Sequence, residues 1–218
     1  MRTLSRNEAR RVYDRIGKLQ DSQAFYEDRA TELLIRHAAL GEARHVFEFG
    51  CGTGRLALTL LSEHLPPEAT YRGVDLSPTM VGLAERRLAP FASRARVVVT
   101  DGSPPSAEPS ESCDRFLSTY VLDLLSEEDI AATLREAHRM LQPGGLLCLS
   151  SLSTGAGPVS RQVARLWSGV HRLSPSLVGG CRPLDVVEHL PSGAWKVRHC
   201  ARVAPFAIPS EVVVAERL

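Results

Sequence analysis

The sequence predicts an α/β protein with a doubly wound, seven-stranded, mostly parallel sheet, six strands parallel and the last antiparallel. Three observations carry that expectation. Apolar runs of strand length alternate with helical patterns from Val46 to Ser150, the arrangement that joins parallel strands through crossover helices. The first run, Val46-Phe47-Glu48-Phe49, breaks into glycines at alternate positions, Gly50, Gly52 and Gly54, before a helical pattern opens at Arg55. The next two runs each end in an acid, Asp75 and Asp101. Those acids fall at the C-terminal sheet edge, where open α/β sheets bind ligands.

Two helices are expected ahead of the sheet. Ser5-x-x-Glu8 is a capping-box pattern, in which the two side chains satisfy free N–H groups at a helix start, and the helix should run to about Ile16. Val12, Tyr13, Ile16 and Leu19 fall at helical spacing, while Arg2, Arg6 and Arg10 lie along another face. The second helix should run from about Ser22 to Ala39, with Phe25, Tyr26, Arg29, Leu33 and Leu34 giving a mixed face.

The glycine turn follows the first strand. Glycine admits positive φ and lets the backbone approach a ligand with no Cβ in the way. The turn also sits at a helix N-terminus, where N–H groups are free to face a ligand. A dinucleotide fingerprint, G-x-G-x-x-G, fits poorly: counted from Gly50 its third glycine is Arg55, and counted from Gly52 it is Ala57. The string V-F-E-F-G-C-G-T-G, Val46 to Gly54, resembles the first motif of class I S-adenosylmethionine (SAM)-dependent methyltransferases. In that family the loop packs against the methionine end of the cofactor. A Gly-rich turn with no ligand is the plain alternative.

Thr70 to Asp75 reads as the second strand, ending in a carboxylate 21 residues after Gly54. A carboxylate there can accept from both ribose hydroxyls of an adenosine ligand, SAM or NAD alike; otherwise it is a solvated turn aspartate. Ser77-Pro78 supplies an N-cap and a proline at the first helical position, so a helix should run from about Pro78 to Leu88. The third strand is Ala95 to Thr100, followed by Asp101. The resemblance implies that Asp101 hydrogen-bonds the adenine amino group.

A Ser/Pro/Glu-rich loop from Gly102 to Ser112 leads to the fourth strand, Asp114 to Tyr120, whose end should face the transferred methyl. Ser126 caps a helix opening on Glu127-Glu128-Asp129, acids well placed against the macrodipole. It should run to about Leu141 and stop at Gln142-Pro143-Gly144-Gly145, before the fifth strand, Leu146 to Ser150. The string L-R-E-A-H-R-M-L-Q-P-G-G-L-L-C-L resembles the same helix–turn–strand in ubiquinone/menaquinone-type and related small-molecule methyltransferases. Beyond a Ser/Gly loop come a helix from about Val159 to Leu173, a turn from Val178 to Pro183 and a short helix around Leu184 to Leu190. Trp195 to Val203 and Glu211 to Arg217 close the chain as an antiparallel pair. The resemblance spans about Val46 to Ser151.

Composition narrows the class. The chain has 218 residues, enough for one domain or one with a small cap, and its 44% hydrophobic and 23% charged content suits a globular enzyme. A net charge of +1 gives no single-sign field that would call for nucleic acid. Five cysteines, at 51, 113, 148, 181 and 200, form no C-x-x-C pair and no zinc spacing, so no metal is expected and reduced thiols in the cytoplasm are. Residues 1–14 lack a signal-type apolar core, and no stretch is long and apolar enough to span a membrane. Three arginines on the first helix leave peripheral contact with an anionic membrane as an alternative.

The resemblance implies residues 1–40 as a helical lid over residues 41–218, the SAM-binding domain, with acceptor-binding insertions in 152–194. It implies a cofactor site of Tyr13, Glu48, Gly50, Cys51, Gly52, Gly54, Asp75, Leu76, Met80, Asp101, Gly102, Ser118 and Thr119. Tyr13-Asp14 resembles a pair found in ubiquinone-type lids; an aromatic face suits a sulfonium cation, though core packing explains Tyr13 equally well. The implied reaction moves the methyl of SAM to an N, O or S nucleophile of a small molecule, releasing S-adenosylhomocysteine (SAH). Ser118-Thr119-Tyr120-Val121 stands where an N/D-P-P-Y/F tetrad would mark an adenine or glutamine N-methyltransferase. Tyr120 and His171 are the catalytic candidates, and Arg182 is a further polar group of the 152–194 stretch. A phospholipid amine is an alternative acceptor. A nicotinamide oxidoreductase is disfavoured by the glycine register and the lack of Tyr-x-x-x-Lys, and a non-catalytic SAM-binding subunit by the presence of every glycine and acid.

Overall fold

A computed structural model describes residues 3–218, so the expectation for Arg2 lies outside the described residues. Helix α1 (Arg6–Ile16) starts where its capping box directs. Ser5 Oγ accepts from the Glu8 amide at 3.3 Å and Glu8 Oε2 accepts from the Ser5 amide at 2.8 Å. A 3-10 segment, Gly17–Gln23, separates it from α2 (Ala24–His37).

Strands β1 (His45–Phe49), β2 (Thr70–Asp75), β3 (Ala95–Val99), β4 (Cys113–Thr119), β5 (Leu141–Leu152), β6 (Trp195–Val203) and β7 (Ser210–Arg217) form one sheet, in the order β3-β2-β1-β4-β5-β7-β6. Only β7 runs antiparallel to its neighbours. Helices α3 (Arg55–Thr59, continuing as a π turn, Leu60–His64), α4 (Pro78–Leu88), α5 (Glu127–Met140) and α6 (Pro158–Leu173) connect them. The strand order reverses between β1 and β4, which opens a crevice at their C-terminal ends, the position at which such sheets bind ligands.

Period-two side-chain alternation feeds two cores. Val46, Leu117, Cys148, Val212 and Val214 pack on one face against Ala30 and Leu34 of α2 and Leu60 and Leu61 of the α3 extension. Phe47, Phe49, Phe116, Leu147 and Val213 pack on the other, against Ile130, Leu134, Ala137 and Met140 of α5. Both faces being covered explains why the strands read as near-continuous apolar runs.

β5 starts earlier than the sequence suggests. Leu141 already pairs with Cys113, and the next pair is Leu146 with Arg115, so Gln142-Pro143-Gly144-Gly145 forms a bulge rather than a separate turn. Gly144, at φ +76°, makes it possible.

The N-terminal segment is bound to the strand-end loops. Asp14 accepts from Ser77 Oγ at 2.5 Å, at the cap of α4. Asp21 accepts from Thr53 Oγ1 and from Arg87, each at 2.6 Å, beside the glycine turn. Arg6 pairs with Asp129 at 2.9 Å and Arg10 with Asp14 at 3.7 Å, so both are engaged within the fold. Among the described residues no helix is long and apolar enough to cross a membrane.

Candidate active site

All three glycines of the turn have positive φ: +81° at Gly50, +53° at Gly52 and +74° at Gly54. Their surroundings differ. A Cβ on Gly50 would lie 2.2 Å from Val121 Cγ2, and one on Gly54 would lie 3.0 Å from the Ala84 backbone. A Cβ on Gly52 would meet nothing within 4 Å. Gly50 therefore seats Val121, Gly54 lets α3 approach α4, and Gly52 faces an open cradle.

Above the turn lies a cleft of two lobes. The first has an empty volume of about 820 Å³ and is lined by polar groups including Tyr13, Gln20, Asp21, Glu27, Glu48 and Arg55. The second, of about 590 Å³, is lined by apolar groups including Phe49, Val74, Leu76 and Leu125, with Thr100, Gly102 and α1 residues around them. Gly50, Asp75, Leu76, Val121 and Leu124 line both, so the lobes adjoin.

Asp75 is buried at that junction, and burial pushes its carboxyl above the usual range. One oxygen accepts from the Gly52 amide at 3.0 Å and the other from the Ser77 amide at 2.9 Å. It thus knits the glycine turn to the end of β2, with acceptor capacity left on both oxygens. Glu48 is also buried, which lifts it to about 7; the Tyr71 hydroxyl donates to it at 2.5 Å.

Of the expected site residues, Tyr13, Glu48, Gly50, Cys51, Gly52, Asp75, Leu76, Met80, Thr119 and Tyr120 line the first lobe, and Gly102 the second. Tyr13 donates to the Gly179 carbonyl at 3.4 Å. Tyr120 has φ +55°, a conformation a bulky residue holds only when its surroundings enforce it. Its hydroxyl lies 2.8 Å from Ser210 Oγ, and its ring meets Tyr26 edge-on at 5.9 Å.

Four of the expected residues line neither lobe. His171 is fully buried on α6 with Nε2 3.2 Å from the Gly180 carbonyl, off both lobes, so it supports the 179–180 turn. Asp101 is exposed and turns to Ser103, whose hydroxyl and amide lower its pKa; Thr100 and Gly102 line the lobe instead. Ser118 is buried and donates to the Phe49 carbonyl at 3.1 Å, tying β4 to β1. Gly54 serves helix packing. The 152–194 stretch also lines neither lobe, and Arg182 donates to the Leu125 carbonyl and Glu127.

In its place the N-terminal segment supplies the polar wall. Gln20, Asp21, Glu27 and Thr31 were not singled out from the sequence. The available signal was Glu27 and Thr31, one helical turn apart and adjacent to the buried stripe Tyr26, Ala30 and Leu34.

Residues 46–145 match a family model described as "Methyltransferase domain". Residues 46–145 therefore form a methyltransferase domain, on a seven-stranded class I fold. Over 159 residues it is 31% identical to a malonyl-[acyl-carrier protein] O-methyltransferase of Marinomonas sp. (strain MWYL1), covering 72% of this chain and 55% of that one. Over 116 residues it is 34% identical to a carboxy-S-adenosyl-L-methionine synthase of Chromohalobacter salexigens, covering 53% and 42%. The chain thus spans about half the length of these curated relatives. In fold, the methyltransferase domain is similar to the [4+2]-cyclase SpnF, with TM-score 0.76, 15% identity and coverage of 100% and 98%. It is similar also to the N-methyltransferase NodS of Bradyrhizobium japonicum WM9 in complex with SAH, with TM-score 0.65, 18% identity and coverage of 88% and 86%.

Proposed function

We propose that this chain transfers the methyl group of SAM to a nucleophilic atom of a small-molecule acceptor, with residues 1–40 acting as a lid on the 41–218 domain. The observation that carries this reading is the pair of adjoining lobes, one mostly apolar and one that adds a set of polar and charged groups, with buried Asp75 at their junction. That shape suits one elongated ligand with a flat apolar end and a charged, polar end. SAM is such a molecule, and three features of the chain fit it. The open cradle at Gly52 admits a chain against bare backbone, the Glu48 and Asp75 carboxylates suit its cationic and hydroxyl groups, and the Leu76–Leu125 lobe suits adenine.

When bound, SAM supplies a methyl already activated by a positive sulfur. The work left to the protein is alignment, a contribution of about 7–11 kcal/mol to the barrier in favourable cases. Asp75 holds the ribose hydroxyls, Leu76 and Gly102 border the adenine, and Tyr13, Thr119 and Tyr120 shape the space where the acceptor meets the methyl. The lid keeps water from that space. A phospholipid acceptor has less support, because Arg6 and Arg10 are engaged with Asp129 and Asp14 rather than free for a membrane.

The test has two parts. SAH at about 100 times its Kd should stabilise the protein by ~2.7 kcal/mol in thermal unfolding, and NAD should not. Asp75→Asn should weaken SAH binding by about tenfold in calorimetry, since a hydrogen bond to a charged group contributes ~1.5–3 kcal/mol. Stabilisation by NAD alone would overturn the cofactor assignment. Labelled SAM incubated with quinol, thiol, amine and phospholipid pools then reports transfer itself.

A further inference from the structure

Glu27 differs from the other acids on the polar lobe in one oxygen, Oε1. Asp21, Glu48 and Asp75 each hold a donor of the fold: Thr53 and Arg87, Tyr71, and the amides of Gly52 and Ser77 respectively. Glu27 lies on α2 with its side chain 12% exposed, and its Oε1 is buried without a hydrogen-bond partner among the described residues. Arg55 is 3.6 Å from its other oxygen, but that guanidinium also pairs with Asp28 at 2.5 Å. A buried carboxylate oxygen left without a donor is costly, and one that lines a cleft is a place for a ligand's donor.

The surroundings select the kind of donor. Of the lining carboxylates, Asp21 is paired with Arg87, and Glu48 and Asp75 are assigned to the cofactor, which leaves Glu27, beside Arg55, as the acid facing an acceptor. An anionic acceptor would meet like charge there. Tyr120 lines the same lobe beside Glu27, and an aromatic ring there suits a cation. We propose that this lobe takes a protonated amine as the methyl acceptor, and that Glu27 holds the ammonium group and receives its proton. The proposal rests on the methyltransferase reading above.

An ammonium nitrogen has no lone pair to attack with. One N–H proton passes to Glu27 Oε1, leaving a neutral amine and a carboxylic acid. The freed lone pair forms the new N–C bond to the methyl while the S–C bond breaks with its electron pair on sulfur. The product is a methylated ammonium and a neutral thioether, and Glu27 returns its proton to solvent. Burial lifts Glu27 to about 7, against the opposing pull of Arg55 and of a hydrogen bond from Tyr26, with Asp123 and Asp28 adding to the rise, so it can take and release a proton near neutrality. An alcohol holds its proton too tightly for a carboxylate to remove, and a carboxylate acceptor has none to remove.

The experiment uses the whole chain loaded with SAH and three probes of one skeleton: phenethylamine, 2-phenylethanol and phenylacetate. Calorimetry near neutral pH should show phenethylamine bound about tenfold or more tightly than either other probe. Glu27→Gln should abolish that preference while SAH binds with unchanged Kd. The proposal is overturned if phenethylamine shows no saturable binding, if phenylethanol or phenylacetate binds as well, or if the preference survives in Glu27→Gln. Loss of SAH binding in Glu27→Gln would also overturn it, by placing Glu27 in the cofactor site. Failure of the wild-type chain to bind SAH would refute the methyltransferase reading instead.

Discussion

Burial lifts Glu27 to about 7, while in the unfolded chain its carboxyl titrates at the ordinary ~4.3. The folded state therefore holds this proton more tightly, and ionising the group costs folding stability. That cost is absent at low pH, grows as pH rises between ~4.3 and about 7, and is complete above. Glu27→Gln removes the charge and with it the cost, on the order of 1–3 kcal/mol. The variant should melt several degrees above wild type at about pH 8, and the gain should vanish near pH 4. A gain independent of pH would show that Glu27 is not a strained, buried acid. A residue that costs stability fits a functional role, because activity often opposes stability at such sites.

The glycine turn separates positions that look equivalent in the sequence. Alanine at either Gly50 or Gly52 would hold a left-handed conformation at ~1–2 kcal/mol. At Gly50 the methyl also strikes Val121, whereas at Gly52 it enters open space. Gly50→Ala should lower Tm well below that of Gly52→Ala, and adding Val121→Ala should recover part of the loss. Gly52→Ala should keep most of its stability yet lose SAH affinity, since the added methyl occupies the cradle. Equal melting temperatures for the two single variants would contradict the packing described, and unaltered SAH binding in Gly52→Ala would place the cofactor elsewhere.

Across the whole molecule, the polar lobe is formed jointly by the strand-end loops and by a segment that precedes the sheet in the chain. Among the contacts that fix that segment are Asp14 on Ser77, and Asp21 on Thr53 and Arg87. Asp14→Ala combined with Asp21→Ala should speed SAH release by about tenfold or more while leaving the sheet intact by circular dichroism. An unchanged release rate would mean that residues 1–40 do not gate the cleft.

Much of the architecture was legible because it is local. The capping box at Ser5 and Glu8, the Ser77-Pro78 helix start and the alternating or continuous apolar runs each specify an element from a few neighbouring residues. The glycines and Asp75 were legible for a related reason: a tight turn at a strand end admits few residue types, whatever packs on it. What the tertiary structure decided were the pairings between distant segments. Sequence placed Asp101, Ser118 and His171 at plausible positions, but a side chain's direction depends on neighbours far along the chain, and these three turn to Ser103, Phe49 and Gly180. Glu27 carried no motif, since one acid on a mixed helix face reads as solvated. Only the packing of α2 on the β5–β7 side of the sheet buries it, removes its water and leaves one oxygen waiting for a donor.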